Sequence, residues 1–145
     1  MINESSITAE IASILTANLD SKYIVERGEY VNTDPDRTPW VGVYPGATKY
    51  EPRTIGNGPN SWRAEFTIKL VIQTATLKAN ASDAEDDMGA ATKAILDIVM
   101  ADKTINNKVA AVKGINVVRT YNVTESNELY YQNAEIDIIT EVRTS

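Results

Sequence analysis

Hydrophobic and polar positions alternate most strictly between Trp62 and Thr76. Trp62, Ala64, Phe66, Ile68, Leu70 and Ile72 share one parity, and Arg63, Glu65, Thr67, Lys69 and Gln73 take the other, with only Val71 out of place. A period of two predicts a strand with one face on a core and the other toward solvent or a neighbour. At about 3.3 Å per residue this strand approaches ~50 Å, more than a domain of this size needs, so part of it is expected to project beyond the body. The segment Leu129–Val142 behaves similarly. Ala134, Ile136, Ile138, Thr140 and Val142 alternate with Glu135, Asp137, Glu141 and Arg143, and Ile139 is the exception. Ile115–Val123 is predicted as its partner strand across the polar turn Thr124–Glu128.

Two segments carry the helical period instead. Ile7, Ile11, Ile14, Leu15 and Leu19 fall on one face of a helix predicted over Ser6–Leu19, with Ser5 or Ser6 as its cap. Met88, Ala91, Ile95, Ile98 and Val99 supply the apolar face of a second helix over Asp83–Met100, opened by the capping box Ser82-Asp83-Ala84-Glu85. A short helical turn is expected over Thr104–Val109, with Asp102 as cap. Weaker strand patterns occupy Tyr23–Glu26 and Trp40–Tyr44, the latter ended by Pro45-Gly46. Between them lie a Gly28 turn, Tyr30-Val31 and the turn-rich connector Asp34–Pro39. A polar stretch from Gly46 to Ser61, with Pro52, Gly56, Asn57, Gly58 and Pro59, reads as a long loop of the kind that is usually functional. The order α-β-β-β-α-β-β, rich in hairpin spacings and poor in βαβ units, predicts an α+β fold. Two amphipathic helices would cover one face of a mostly antiparallel sheet in a single domain spanning residues 1–145.

Composition narrows the chemistry. The chain has no histidine and no cysteine, which excludes zinc sites, thiol catalysis, haem ligation and imidazole acid–base work. Carboxylate chemistry, lysine chemistry and hard-cation binding remain. A net charge of −6 without any basic cluster argues against tight nucleic-acid binding, although a pore that lets DNA slide through would also avoid positive charge. The opening Met1-Ile2-Asn3-Glu4-Ser5-Ser6 lacks the basic and apolar regions of a signal peptide, so none is expected. No apolar run approaches the roughly 20 residues of a membrane span.

The acids Asp83, Glu85, Asp86 and Asp87 could suggest a magnesium or calcium site, but acids also gather at helix starts because the dipole favours them there. Glu135, Asp137 and Glu141 share one strand face and could supply the carboxylate pair of a glycosidase. The same face is simply the polar half of an amphipathic strand, and no apolar pocket lies beside it in the sequence. Gly56-Asn57-Gly58 is followed by a strand rather than the helix a phosphate loop requires. The Asn-x-Ser/Thr triplets at Asn3, Asn80 and Asn122 are as frequent as chance gives. The residues therefore predict no catalytic group, no metal and no cofactor.

Aromatic residues are more telling. Trp40, Tyr44, Tyr50 and Trp62 bracket the long loop, with Arg53 and Arg63 beside them. Aromatics and arginine are enriched at the energetic centres of protein interfaces. At least one tryptophan is expected in the core. Tyr44, Tyr50, Arg53, Asn57 and Arg63 are the expected partner surface.

A Trp-Val-Gly-Val-Tyr-Pro strand (Trp40–Pro45) follows the first amphipathic helix. After it come a polar loop, the long alternating strand Arg63–Gln73, an acid-rich helix and a strand pair ending Ile136-Asp137-Ile138-Ile139-Thr140-Glu141-Val142. Over nearly the whole chain this order resembles the tail terminator (tail completion) proteins of long-tailed bacteriophages. The resemblance implies a virion protein of the tail and neck, assembled in the bacterial host cytoplasm, with no catalytic residue and no cofactor. It implies a homo-oligomeric ring of six subunits that ends tube polymerisation and offers a surface to the head–tail connector. Its partners would be the tail tube protein and that connector, and DNA would pass through the ring without specific binding. Alternatives in the same class are a head-closure or connector-adaptor protein or a tail tube subunit, the last of which would polymerise alone. From another class comes a small carboxylate-dependent hydrolase or metal-binding module, which requires convergent acids in a concave pocket.

Overall fold

The strictly alternating segment forms the middle strand of a five-stranded sheet. The computed structural model describes residues 3–28, 37–52, 62–77, 81–126 and 129–144. In order these form α1 (Glu4–Asn18), β1 (Ile24–Arg27), β2 (Trp40–Pro52), β3 (Trp62–Leu77), α2 (Ala81–Met100), β4 (Ala111–Ser126) and β5 (Leu129–Thr144). The strands lie in the order β1-β2-β3-β5-β4, antiparallel except for the parallel pair β1–β2. This is the α+β architecture that the hydrophobic pattern predicts, with both long hairpin partners in place. Tyr30-Val31, Asp34–Asp36 and the central part of the polar loop lie outside the described residues.

Both helices pack on one face of the sheet, α1 over β1, β2 and β3, and α2 over β3 and β5. The face they cover is the even-numbered parity of β3, where Ala64, Phe66, Ile68, Leu70 and Ile72 are all buried. Register carries this face across the sheet. Ile136 and Ile138 of β5 stand opposite Leu70 and Ile68, and Val41 and Val43 of β2 stand opposite Ile72 and Leu70. From above, Ile7, Ile11 and Leu15 of α1 and Met88, Ala91 and Ile95 of α2 close the core, as their spacing predicts. Each such large aliphatic side chain contributes about 1.5–3 kcal/mol by leaving water. Thr140 shares the buried face because its hydroxyl donates to the Phe66 carbonyl at 2.9 Å.

Several boundaries differ from the sequence reading, each for a local reason. Helix α1 starts at Glu4, and its cap is Asn3 rather than Ser5 or Ser6. The Asn3 Oδ1 accepts from the Ser6 amide at 2.9 Å and from the Ser6 hydroxyl at 3.0 Å, so the asparagine occupies the role assigned to serine. Helix α2 starts at Ala81, which places Ser82 inside its first turn and rules out the expected capping box. Strand β2 does not stop at Pro45-Gly46 but runs on to Pro52. The register shifts between Pro45 and Thr48, so the proline and glycine form a bulge rather than a terminus. Among the described residues the pairing of β1 with β2 ends at Val43, and proline is tolerated at such edge positions and at bulges. A Cβ on Gly46 would come within 3.0 Å of the Thr67 carbonyl oxygen, so the bulge brings the two backbones close.

The connection after α2 is also unlike the expected helical turn. Ile105, Asn106 and Asn107 have φ of 49°, 53° and 63°, three consecutive residues in the left-handed region. Asparagine tolerates that region and isoleucine does not. Asp102 holds the turn, as its position predicts, by accepting from the Thr104 amide at 2.9 Å, the Thr104 hydroxyl at 2.8 Å and the Asn106 amide at 2.7 Å. These bonds favour the ionised form and hold the Asp102 carboxyl below its ordinary pKa. Burial of Ile105 in the core opposes its backbone strain.

Trp40 meets the expectation of a buried tryptophan, but on the other side of the sheet. It stands opposite Gln73, on the face away from the helices, and its indole lies against Gly42. A Cβ on Gly42 would sit 2.4 Å from the ring. The Gly42→Ala variant is therefore expected to push the indole from its seat and lose about 1–3 kcal/mol of stability, the usual cost of overpacking. Denaturation followed by tryptophan fluorescence checks both effects, and an unchanged midpoint and emission maximum would refute the packing described.

Candidate interface at the end of the sheet

The helical layer does not reach every part of the sheet. Tyr50 near the end of β2 and Trp62 at the start of β3 lie on the helix-side face, yet they are 53% and 45% exposed. After the bulge, Thr48 stands opposite Phe66, Tyr50 opposite Ala64 and Pro52 opposite Trp62. This is the projecting end anticipated from the length of β3. The Tyr50 ring meets Phe66 edge-on, with centroids 6.2 Å apart, so one side of the tyrosine is anchored on the core and the other faces out. Glu4 at the start of α1 accepts from the Thr48 hydroxyl and pins the helix close to this end.

The opposite face of the same end is a network of charges. Glu51 and Arg63 are register partners 2.5 Å apart, and Lys49 reaches Glu51 at 2.8 Å. Register also places Glu65 directly opposite Glu141, an unfavourable like-charge pair. Lys113 offsets it by meeting Glu65 at 2.8 Å, and Arg63 lies 3.9 Å from Glu141. Further along, Lys69 lies 3.3 Å from Asp137 and 3.7 Å from Glu135. Hydrogen bonds from Lys49 and then Arg63 lower the Glu51 carboxyl to a pKa of about 2. The end of the sheet is thus amphipathic, with aromatic rings on one face and paired charges on the other.

The five residues expected to form one partner surface do not share a face. Tyr50 is on the helix side, while Arg63 is on the charged side. Tyr44 also lies on the charged side, but before the bulge and opposite Lys69. Arg53 and Asn57 lie outside the described residues. Trp62, which the sequence offered chiefly as a core candidate, is the exposed partner of Tyr50 at this end. Its place next to the polar loop was the available sign.

Several of the acids singled out from the sequence are engaged in the fold. Glu135, Asp137 and Glu141 each lie near the cations just named. Asp87 accepts from the Thr76 hydroxyl at 2.6 Å. Among the described residues no group of three or more potential ligands is arranged to hold a metal ion, and no helix is long and apolar enough to cross a membrane. A cleft of about 180 Å³ opens between α2 and the sheet, lined by Lys22, Tyr23, Thr38, Thr74 and Asp87. Asp87 is the carboxylate among its described lining residues. No protein-family model matches the chain, and no curated protein is significantly similar to it.

The charged network has a pH signature. Glu51 has a folded pKa near 2 against an ordinary value of 4.5. Its contribution to stability is complete above the ordinary value and is lost as pH falls from there through the folded value. The pair is exposed, so salt weakens it. Stability curves against pH for the wild type and Glu51→Gln should converge as pH drops through this window and separate again above it. Parallel curves would contradict the pairing.

Proposed function

We propose that this protein is a structural component of a long-tailed bacteriophage virion that caps the tail tube as a ring of identical subunits. In this reading it ends tube polymerisation and presents the surface that receives the head connector. The order of elements in the fold is the one on which the resemblance to tail terminators rests, so the fold supports the reading without deciding it. The observation that carries it is the amphipathic end of the sheet. Tyr50 and Trp62 project past the helices with about half their surface in water. Large aromatic side chains held outward on a rigid strand pair suit a protein contact, because little conformational freedom remains to be lost on binding.

The electrostatics agree with a ring that DNA traverses. Lys49, Arg63, Lys69 and Lys113 on the open face each have a carboxylate within ion-pair distance. Such cations are poorly placed to hold phosphates, and the chain is acidic overall at −6. A tube subunit with the same fold would differ in behaviour, since it would add to its own polymer without limit.

The double variant Tyr50→Ser, Trp62→Ser tests this contact. Both positions are about half exposed, so the subunit should remain folded with a modest loss of stability, and its capping of tails should fall by at least tenfold. The checks are circular dichroism for the fold and electron microscopy of tail length in infected cells complemented with the variant. Tails of normal length and normal head attachment from a folded variant would sink the proposal.

A further inference from the structure

The sheet has two edges of unequal kind. On one side lies β1, four residues long. On the other lies β4, sixteen residues long and, among the described residues, paired along one side only, with β5. A long unpaired edge is a template for another strand, and proteins normally blunt it. Here the blunting is confined to the ends. Register irregularities fall between Val112 and Gly114 and between Thr120 and Thr124, and the seven residues from Gly114 to Thr120 pair regularly with β5. That stretch contains no proline and one charge, Arg119.

Val117 and Val118 lie in the middle of the stretch on opposite faces of the sheet, opposite Ile136 and Glu135. Both are exposed, at 37% and 54%. Neighbouring valines exposed on both faces mark a strand short of a lateral neighbour rather than of a covering layer. Asn116 and Arg119 beside them are exposed as well. The helices pack on β1, β2, β3 and β5, which leaves β4 as the outermost strand beside the helical layer.

We infer that the Gly114–Thr120 edge pairs with the same edge of a second copy of this chain, antiparallel about a two-fold axis at Val117. Symmetry selects this occupant. The regular stretch is centred on Val117, so a two-fold axis there pairs all of it with itself. A two-fold perpendicular to the sheet keeps each face with its like, as antiparallel pairing requires. Val117 then meets its own copy, Asn116 meets Val118 on the open face, and Ile115 meets Arg119 on the helix side. No like charges stand opposite each other, and cross-strand valine contacts are favourable. The other edge could not serve as well, because β1 offers four residues and its Glu26 is tied to Arg37. The two sheets become one, with both helical layers on the same side. This pairing does not rest on the ring reading, since a two-fold contact closes on itself while a ring needs head-to-tail contacts through other surfaces. It would cover the exposed edge of free subunits before they assemble.

The test uses charge reversal at the axis. Sedimentation equilibrium of the wild-type chain should show twice the 15.9 kDa subunit mass, with dissociation on dilution. Val117→Lys alone and Val117→Glu alone should each be monomeric, because each sets like charges directly opposite. Mixed in equal amounts, the two variants should form a heterodimer, which also proves that both are folded. A wild type that stays monomeric up to millimolar concentration would overturn the inference. So would a Val117→Lys variant that still dimerises, or a mixture that remains monomeric.

Discussion

The fold depends on one strand whose two faces must meet different fates. β3 is hydrogen-bonded on both sides, to β2 and to β5, and every even-numbered side chain from Ala64 to Thr76 is buried beneath the helices. A slip of one residue would turn that entire set to the charged face and bring Arg63, Glu65 and Lys69 into the core. The charges on the far side reinforce the same register. Glu51 meets Arg63 and Lys69 meets Asp137 only in the observed alignment. The apolar face and the ion pairs thus specify one pairing twice, once by burial and once by charge.

From this constraint follows the distribution of unsatisfied surface. The helical layer leaves the Tyr50–Trp62 end of the sheet uncovered, where both side chains stay about half exposed. At the lateral edge, β4 is the outermost of the described strands. Among the described strand residues, Tyr50, Trp62, Val117 and Val118 are the large apolar side chains that stay exposed. Under the proposed reading, this rigid platform with paired charges on its open face serves as a part of an assembly.

Much of this was legible in the sequence. The alternation of β3 and β5 and the 3.6-residue spacing of Ile7, Ile11 and Leu15 report burial directly, and burial decides the architecture. What was not legible depended on neighbours. Pro45-Gly46 signals a stop in isolation, but a bulge absorbs both residues just past Val43, where the pairing of β1 with β2 ends among the described residues. Ser82 resembles a cap until α2 is seen to start one residue earlier, at Ala81. The run Thr104–Asn107 has ordinary turn composition, and nothing in it announces three left-handed residues anchored by Asp102. Of the residues expected to share one surface, Tyr50 and Arg63 lie on opposite faces. Strand parity after the bulge, which separates them, could not be counted without knowing that a bulge existed.

We propose that the chain ends a polymer rather than extending one or acting on a substrate. This is tested by adding the purified protein to tail tube protein that is elongating in vitro and following the length distribution by negative-stain electron microscopy. Elongation should stop soon after addition, with a single ring at the growing tip and none along the tube. Tubes that grow on unchanged, or that carry this chain throughout their length, would contradict it.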